Sequence, residues 1–255
     1  MQYIEPPQNH RMSKRTNSLG QSISFALPDW TPPPHPPREC MEGRLCRLEP
    51  LHVDSHLDDL YQANAFDMEG KNWTYLAYGP FSDKDSYRDW MNETCLGDDP
   101  LFFAILDKRI GSACGVASYL NIAPTSGAIE VGHIHYSPQL QRTPLATEAM
   151  YLMIQKAFEL GYRRYCWKCD SLNQASRAAA QRLGFSFEGI FRQATVYNGR
   201  NRDTAWYAAI DSEWPGLEQA FLTWLAPDNF DDEGKQRLRL SDLTRPILKN
   251  QGNNQ

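Results

Sequence analysis

The sequence predicts an α/β fold (α+β mixed sheet): one central sheet with both parallel and antiparallel strands, and helices on both of its faces. Two observations support this prediction: three consecutive strand-like segments are joined by short turns, and an Asn-Gly pair joins two later strands. Helix-like segments separate these strands, giving the order strand, two helices, meander, helix, strand, helix, hairpin, helix. That order indicates a single mixed sheet covered on both sides.

The first half of the chain alternates between strand and helix periodicity. EGRLCRLEPL, residues 42–51, alternates as a strand, and HVDSHLDDLYQANA, residues 52–65, has apolar residues at helical spacing. The aromatic loop NWTYLAYGPF, residues 72–81, follows, and Ser82 or Asp83 can cap a second helix that runs to about Cys95. Three strands then form the antiparallel meander: LFFAILD, GSACGVASYLN and AIEVGHIHYS.

The second half begins with a long helix over residues 143–160. The strand RRYCWKCD and the helix NQASRAAAQRL follow, and Gly184 ends that helix because glycine readily adopts the left-handed conformation of a helix C-terminus. The remaining segments are two long strands joined at YNGR and a final helix: residues 185–196, 202–210 and 213–225.

Composition divides the chain into four parts. Residues 41–226 hold most of the large apolar side chains, whereas residues 1–27 and 227–255 are polar or charged and are predicted to be loosely ordered or partner-bound tails. Residues 28–40 contain PDWTPPPHPPRE, whose prolines forbid a helix and favour a stiff polyproline II arm. The arm is either an SH3-type ligand or, the favoured interpretation, a strap packed on its own domain through Trp30.

Charge and hydropathy exclude several classes of protein. The net charge of −5 and the pI near 5.7 make nucleic acid a poor partner for the surface as a whole. No apolar stretch approaches about 18 residues, so no membrane span is expected. The N-terminus also has no signal-peptide pattern, and we therefore expect a cytoplasmic protein.

The six cysteines lie mostly inside apolar runs, which indicates reduced core residues. Cys166 and Cys169 form a CxxC pair in YRRYCWKCD, but this run is strand-like, whereas redox CxxC pairs open a helix. Residues three apart on a strand point to opposite faces, and no second CxxC or His pair completes a metal site. We expect a structural role for the pair and no metal.

The segment QRTPLAT, residues 141–147, is the turn that leads into the long helix. Thr143 is a good N-cap, and Pro144 then takes the first helical position, where its fixed φ suits the helix and no amide partner is lost. Arg142 adds a full charge at the positive end of the helix dipole, which makes the turn a candidate anion site. The amides predicted to be free are those of Arg142, Thr143, Leu145, Ala146 and Thr147.

Several motifs in the right order resemble the GCN5-related N-acetyltransferases (GNAT family), and within them the RimJ/RimL-like branch that acetylates the N-termini of bacterial ribosomal proteins. QRTPLA resembles the family's acyl-CoA pyrophosphate loop, Q/R-x-x-G-x-G/A; it matches at Gln141 and Ala146 and departs at Pro144. ATEAM resembles the ATEA of this branch, and NQASRAAAQRLGFSFEGIFRQATVYNGRNRDTAWYA resembles its N-x-x-S…GF…EG…NG…D pattern. The resemblance covers roughly residues 42–214.

The resemblance implies the GNAT fold, a mostly antiparallel twisted sheet of about seven strands, flanked by helices and splayed at the acyl-CoA site. It implies acetyl-CoA as the cosubstrate and no metal. The backbone of Ile134, His135 and Tyr136 would pair with the pantetheine arm, which Asn173 and Ser176 would also contact. The turn would bind the pyrophosphate through Gln141, Arg142, Thr143, Leu145, Ala146 and Thr147.

The catalytic residues that the resemblance implies are incomplete. Many members protonate the leaving thiolate with a Tyr seven residues after the Asn, and here that residue is Ala180. In the branch a Ser three residues after the Asn has this task, which gives Ser176, although a serine that satisfies the helix end is an equal alternative. Relatives place a Glu at the position of Thr195, which cannot take a proton from an ammonium.

The base is therefore sought on the strand AIEVGHIHYS, among Glu130, His133 and His135. Glu130 alternates with the two histidines, so we expect it on the opposite face unless a bulge intervenes. Glu130 is favoured as the base, and His135 is a second catalytic candidate. The alternatives are a Glu130 paired with a cation of a neighbouring strand and histidines that only pack.

The aromatic loop lies where the resemblance places the acceptor cleft. Trp73, Tyr75 and Tyr78 are candidates for an apolar wall or for a cation–π contact with an amine, and core packing is the alternative. Tyr197, beside the Asn-Gly turn, and Asp203, across the hairpin, are further candidates. Asp203 matches the pattern of the branch as a cleft residue or as a residue that fixes the hairpin.

The leading hypothesis is an acetyl-CoA-dependent N-acetyltransferase that acts on a primary amine of a small molecule or peptide by direct attack in a ternary complex. A catalytically silent acyl-CoA-binding sensor and an interaction protein that uses the Pro-rich arm are the alternatives, because Pro144, Ala180 and Thr195 depart from the family. Neither nucleic acid nor a membrane is expected as a partner. A homodimer is left open.

Overall fold

The computed structural model of the protein describes residues 15–252. The chain divides into two compact units, Met1–Thr31 and Pro32–Gln255. In the first unit, Thr16 and Ser22 form an antiparallel bridge, and the Asn17 side chain accepts the amides of Leu19 and Gln21, which closes a small turn. The named strands and helices belong to the second unit.

The sheet of the second unit has eight strands: β1 (Met41–Glu42), β2 (Cys46–Pro50), β3 (Leu101–Asp107), β4 (Ser112–Ala123), β5 (Ala128–Tyr136), β6 (Arg164–Asp170), β7 (Ser186–Tyr197) and β8 (Arg200–Ile210). Their order in the sheet is β1-β2-β3-β4-β5-β6-β8-β7. Only the β5–β6 pair is parallel among these described strands. The predicted mixed, mostly antiparallel sheet is therefore confirmed.

Six α-helices are present in the described residues: α1 (Val53–Asn64), α2 (Lys84–Thr94), α3 (Pro144–Glu159), α4 (Gln174–Arg182), α5 (Trp214–Leu225) and α6 (Leu240–Thr244). Their starts follow local sequence signals. Asp83 caps α2 in a capping box with Ser86, and Thr143 caps α3 ahead of Pro144. Asn198 and Gly199 both have positive φ, as a two-residue type I′ hairpin turn requires.

Helices cover both faces of the sheet, and each covered face is a hydrophobic core. On the first face, α3 and α5 pack against apolar residues of the strands, among them Tyr119, Val131 and Tyr207. On the second face, α1 and α2 pack against Phe102, Ala104 and Val116. We call these the α3 face and the α1–α2 face.

A buried carboxylate on α3 joins the helix to the first hairpin of the sheet. Glu148 accepts the backbone amides of Arg44, Leu45 and Cys46 at 3.0, 2.6 and 2.8 Å. Three amide donors offset the cost of burying the charge, since each is a charge-assisted hydrogen bond. The contact fixes α3, and with it the turn at residues 141–147, against β2.

The segment after α5 differs from the expected loosely ordered tail. Leu240 and Thr244 of α6 are fully buried, and Phe230, Leu243 and Ile247 pack against the core of the α3 face. The low density of large apolar residues in this segment did not indicate that most of them pack against the core, with Leu238 exposed. Residues 253–255 lie outside the described residues.

The part of the Pro-rich arm that belongs to the second unit packs on its own domain. Pro33 and Pro36 are buried, and the Tyr162 hydroxyl donates to the Pro34 carbonyl at 3.1 Å. These contacts are those of the strap that was favoured over an SH3-type ligand, although Trp30, its predicted anchor, falls in the other unit.

The cysteines are free thiols, and all but Cys40 are buried. Burial raises the pKa of each buried thiol, and raises that of Cys114 to about 12. Cys166 and Cys169 lie on β6, as the strand pattern predicted. Within residues 15–252, no group of three metal-ligating side chains is found and no helix is long and apolar enough to cross a membrane.

Replacing Glu148 by Ala leaves three inward amides without an acceptor, so we expect the free energy of unfolding to fall by about 3–5 kcal/mol. Urea unfolding followed by circular dichroism measures the change. Glu159→Ala, at an exposed carboxylate of the same helix, is the control and should cost about 0.5 kcal/mol or less. Equal losses in the two variants would contradict the role given to Glu148.

Candidate active site

Strands β5 and β6 part halfway along their length. Their pairing runs from Ala128 with Arg164 to Val131 with Trp167 and then stops. At the same place β5 carries an extra residue: Gly132 pairs with Ser118 of β4, but the next pair is His135 with Val116. The bulged residue, His133, has φ +49°. The bulge bends β5 away from β6 and leaves a V-shaped opening between residues 132–136 and 168–170.

The bulge also changes which side chains share a face. Glu130 pairs with Leu120, and His135 pairs with Val116; Leu120 and Val116 lie an even number of residues apart on β4. Glu130 and His135 therefore point to the same face, the α1–α2 face, because the extra residue reverses the alternation. Opposite faces are expected for these two residues only in a strand without a bulge, and β5 has one.

Glu130 lies at the vertex of the opening and is only 6% exposed. Its Oε2 accepts from Lys168 Nζ at 2.6 Å and from Asn121 Nδ2 at 2.9 Å. Lys168 itself lies 3.9 Å above the centre of the Trp206 ring. The carboxylate thus has the ion pair with a neighbouring strand that was one alternative for it.

The two histidines have different surroundings. His135 stacks on Trp73 at 3.7 Å, and its Nε2 finds no hydrogen-bond partner among residues 15–252. Burial lowers the pKa of His135 to about 4, so the ring is neutral near pH 7. His133 receives or donates a 3.0 Å hydrogen bond with the Tyr78 hydroxyl, and burial lowers its pKa as well.

The N-terminus of α3 lies beside the end of β5 that borders the V-shaped opening. Thr143 Oγ1 accepts the Ala146 amide at 3.2 Å, which corrects the expectation that this amide is free. The amides of Arg142, Thr143 and Leu145 find no acceptor within the described chain. Arg142 has φ +60° and an exposed side chain, so the loop presents these amides together with a positive charge.

Gln141 and Thr147 use their side chains inside the protein. Gln141 Nε2 donates to Asn72 Oδ1 at 2.8 Å and to the Tyr136 carbonyl at 3.0 Å, and Asn72 Nδ2 donates to that carbonyl at 3.3 Å. Both lone pairs of the Tyr136 carbonyl are thereby used within the protein, and pairing of the Tyr136 backbone with the pantetheine arm stays a prediction. Thr147 is buried and accepts from Arg182 at 3.1 Å.

The turn between β6 and α4 brings Asn173 and Ser176 to the other arm of the V. Asn173 caps α4 by accepting the Ser176 amide at 3.0 Å. Ser176 Oγ accepts the indole N–H of Trp167, also at 3.0 Å. Ala180, at the position of the family's Tyr, is fully buried in the core.

The aromatic loop crosses the open side of the V on the α1–α2 face. The Tyr75 hydroxyl donates to the Leu172 carbonyl at 3.2 Å, and Asn198 Nδ2 donates to the Leu76 carbonyl at 3.2 Å. The loop is therefore linked to the β6–α4 turn and to the β7–β8 hairpin, and it roofs the space between them. Tyr78 stacks with His133, and Trp73 is buried against His135.

Tyr197 and Asp203 occupy different positions on the hairpin. The Tyr197 hydroxyl donates to Asp170 Oδ2 at 2.9 Å, under the roof, and burial followed by this bond raises its pKa to about 12. Asp203 accepts from the Gln193 amide at 2.7 Å and from Asn201 Nδ2 at 2.9 Å, which lowers its pKa. Asp203 thus has the contacts of the hairpin-fixing role.

Comparison with known proteins identifies the family of this arrangement. The model of the "Acetyltransferase (GNAT) domain" matches residues 46–186, which span strands β2 to β6. The chain belongs to the GNAT acetyltransferase family. The parted strands and the loop at the start of α3 are therefore those of a family that transfers acyl groups from acetyl-CoA.

Solved GNAT structures cover most of the chain. One from Brucella melitensis is 46% identical, covers 86% of this chain and 100% of its own, and has a TM-score of 0.84. One from Chromobacterium violaceum ATCC 12472 is 40% identical, covers 76% and 98%, and has a TM-score of 0.72. The Bacillus subtilis (strain 168) protein named "Putative ribosomal N-acetyltransferase YdaF" is 30% identical over 151 residues, 56% of this chain and 79% of that protein, which supports the RimJ/RimL-like branch.

The residues present fit acetyl-CoA. The free amides of Arg142, Thr143 and Leu145 at a helix start suit a diphosphate. Pro144 has no amide to offer, and the positive charge of Arg142 compensates for that missing donor. The edge of β5 that β6 leaves unpaired after Val131 suits an extended arm with amide groups.

Three residues of this GNAT site were not predicted. Asn72 fixes Gln141, Lys168 pairs with Glu130, and Asp170 accepts from Tyr197. Lys168 and Asp170 carried a signal, because they are charged residues that alternate with buried ones in the apolar strand RYCWKCD. Asn72 carried none, since its role depends on how a loop folds over the sheet.

Arg142→Glu should raise the Kd for acetyl-CoA at least about tenfold, because it reverses a charge beside the free amides. Isothermal titration calorimetry measures the Kd. Arg88→Glu on α2 changes the net charge equally and is the control. A Kd that changes alike in both variants would show that Arg142 does not contact the donor.

The buried neutral His135 should make stability pH-dependent. Its folded pKa of about 4 lies below the ordinary 6.5, so the unfolded chain binds more protons between these values. Stability present above pH 6.5 should be lost as the pH falls to 4, by about 3 kcal/mol. His135→Phe should remove this loss in urea unfolding, and His35→Gln, at an exposed histidine, should keep it. The same pH dependence in the Phe variant would be the contrary result.

Proposed function

We propose that the protein is an acetyl-CoA-dependent N-acetyltransferase that acts on a primary amine of a small molecule or peptide by direct attack. The observation that carries the proposal is the parting of β5 and β6 beside the start of α3, with Glu130 at the vertex on the acceptor face. Acetyl-CoA supplies the activated acetyl group. The remaining work, which is binding, orientation and proton transfer, belongs to residues of the chain.

The donor side holds the cosubstrate between the two arms of the V. The amides of Arg142, Thr143 and Leu145 would bind the diphosphate. Backbone groups of Ile134 and His135, and the side chain of Asn173, would hold the pantetheine arm. Asn173 caps α4 through Oδ1, which leaves its Nδ2 free to donate.

Proton transfer is assigned to Glu130 and Ser176. Glu130 would accept the proton of the amine through its Oε1, since Oε2 is held by Lys168 and Asn121. Ser176 Oγ already accepts from Trp167, so its own hydrogen goes to an acceptor, either the nearby Cys169 sulfur or the departing thiolate. His135 is neutral and is proposed to orient the reacting groups through its unpartnered Nε2.

The acceptor enters below the aromatic loop. The links from Tyr75 to Leu172 and from Asn198 to Leu76 hold the loop over the opening, and the proposed acceptor beneath it is a small molecule or the end of an extended peptide. The name of the Bacillus subtilis relative points to a ribosomal protein as one such peptide. A ribosomal acceptor would place the reaction in the cytoplasm.

Thiol release from acetyl-CoA in the presence of pooled primary amines and N-terminal peptides tests the function. Glu130→Gln should lower kcat by about 100-fold or more, with the Kd for acetyl-CoA unchanged, because the proton acceptor is lost and the donor loop is intact. Glu188→Gln is the matched control, since Glu188 on β7 pairs with Arg164 at the start of β6, away from the opening.

Tight binding of acetyl-CoA without thiol release for any amine would support the second candidate, a catalytically silent acyl-CoA-binding module. That candidate is favoured by Ala180, which is buried where the family carries a Tyr, and by Thr195, which is exposed on β7.

A further inference from the structure

Asp170 is a buried carboxylate at the open end of β6. It is 5% exposed and lies three residues beyond the last pairing of β6 with β5. Its Oδ1 accepts the Leu172 amide at 2.8 Å, and its Oδ2 accepts the Tyr197 hydroxyl at 2.9 Å. The bond from the Leu172 amide closes a turn and occupies Oδ1. The bond to Oδ2 comes from Tyr197, a side chain on the acceptor side of the opening.

The charge of Asp170 has no cationic partner within residues 15–252. No Lys or Arg nitrogen lies within 4.0 Å of it, whereas Glu130 has Lys168 and Asp107 has Arg109. Glu148 and Glu213 are the other buried carboxylates without an ion pair in residues 15–252; Glu148 receives three backbone amides, and Glu213 receives the Ile210 amide. Asp170 receives one amide and one neutral hydroxyl, so its charge is less compensated than that of Glu130, Asp107 or Glu148.

Nearby basic groups make no ion pair with Asp170. Arg202 on β8 lies 5.8 Å from the centre of the Tyr197 ring, and its Nε has no hydrogen-bond partner within residues 15–252. Lys168 is bound to Glu130, and Arg177 donates to the Tyr207 hydroxyl at 3.1 Å and to the Ser171 carbonyl at 3.3 Å. The protein therefore places a buried negative charge at the opening and leaves it to neutral donors. A partner cation is the group that such a site lacks.

The position of Asp170 puts it on the acceptor side of the opening. It lies two residues after Lys168 on β6, so both side chains point to the α1–α2 face, where Glu130 also points. Tyr75 reaches the Leu172 carbonyl and Tyr197 reaches Asp170 itself, so two tyrosines flank the carboxylate beneath the aromatic loop. Aromatic rings around a carboxylate are suited to an organic cation.

We infer that Asp170 binds the ammonium group of the acceptor and so selects amines that arrive protonated. This inference rests on the proposed function and adds a specificity-determining residue to it. The ammonium would be the missing cationic partner of Asp170, and Tyr75 and Tyr197 would lie beside its carbon chain. Glu130 remains the proposed acceptor of the proton, which would reach it from the bound ammonium through a chain of waters, because Glu130 pairs with Cys166, four residues before Asp170 on β6.

Asp170→Asn tests the inference, because the amide oxygen keeps the bond to Leu172 while the charge is lost. For the amine with the highest thiol-release rate, we expect KM to rise at least about 20-fold. The Kd of the same amine, titrated into the protein saturated with CoA, should rise equally, while the Kd for acetyl-CoA stays within about twofold. Asp231→Asn is the control, since Asp231 also accepts the amide two residues on, outside the site.

Tyr197→Phe separates charge from hydrogen bonding. Both variants disturb the bond between Tyr197 and Asp170, but only Asp170→Asn removes the charge, so Tyr197→Phe should raise KM by only about threefold. Equal effects of the two variants, or an unchanged amine Kd in Asp170→Asn, would overturn the inference while the proposed function stands. Absence of thiol release with any amine in the wild-type protein would overturn both.

Discussion

The extra residue at His133 is the constraint on which the candidate site depends. A regular β5 would continue its pairing with β6 and close the space that the site needs. The bulge ends this pairing after Val131 and turns Glu130 and His135 to one face. Packing holds the bulge in place from both directions: Tyr78 and Phe102 contact His133, and Trp73 stacks on His135. The strained φ of one residue is thus stabilised by the aromatic loop that roofs the opening.

The departures from the family motif can be understood from local physics. Pro144 stands at the first helical position after Thr143, where no intrahelical bond is lost, and Arg142 supplies charge beside the remaining amides. Ala180 faces the core of the α3 face, and under the proposed function Ser176, which is held by Trp167, is the proton donor instead. Thr195 lies exposed on β7, where the register with β8 shifts, and under the proposed function the base is a residue of β5 instead.

Most of the fold could be predicted because its signals are local. Capping residues, the Asn-Gly turn and the period of apolar residues depend on a few neighbours, and Asp83, Thr143 and Asn198 behave as their sequence context predicts. The candidate site was less predictable because it depends on contacts between distant segments. Whether Glu130 and His135 share a face depends on one bulge, and the state of the Tyr136 carbonyl depends on Asn72, which is 64 residues away. The lack of an ion pair at Asp170 could not be predicted either, because it depends on which side chains of distant segments lie near its carboxylate.

Hydrogen–deuterium exchange with and without acetyl-CoA tests the central claim most directly, because it reports on the backbone of the parted strand itself. The account predicts slower exchange confined to residues 132–136 of β5 and to the turn at residues 141–147. Unchanged exchange at residues 132–136, or protection centred on the β7–β8 hairpin instead, would contradict the claim that the opening beside the bulge is the donor site.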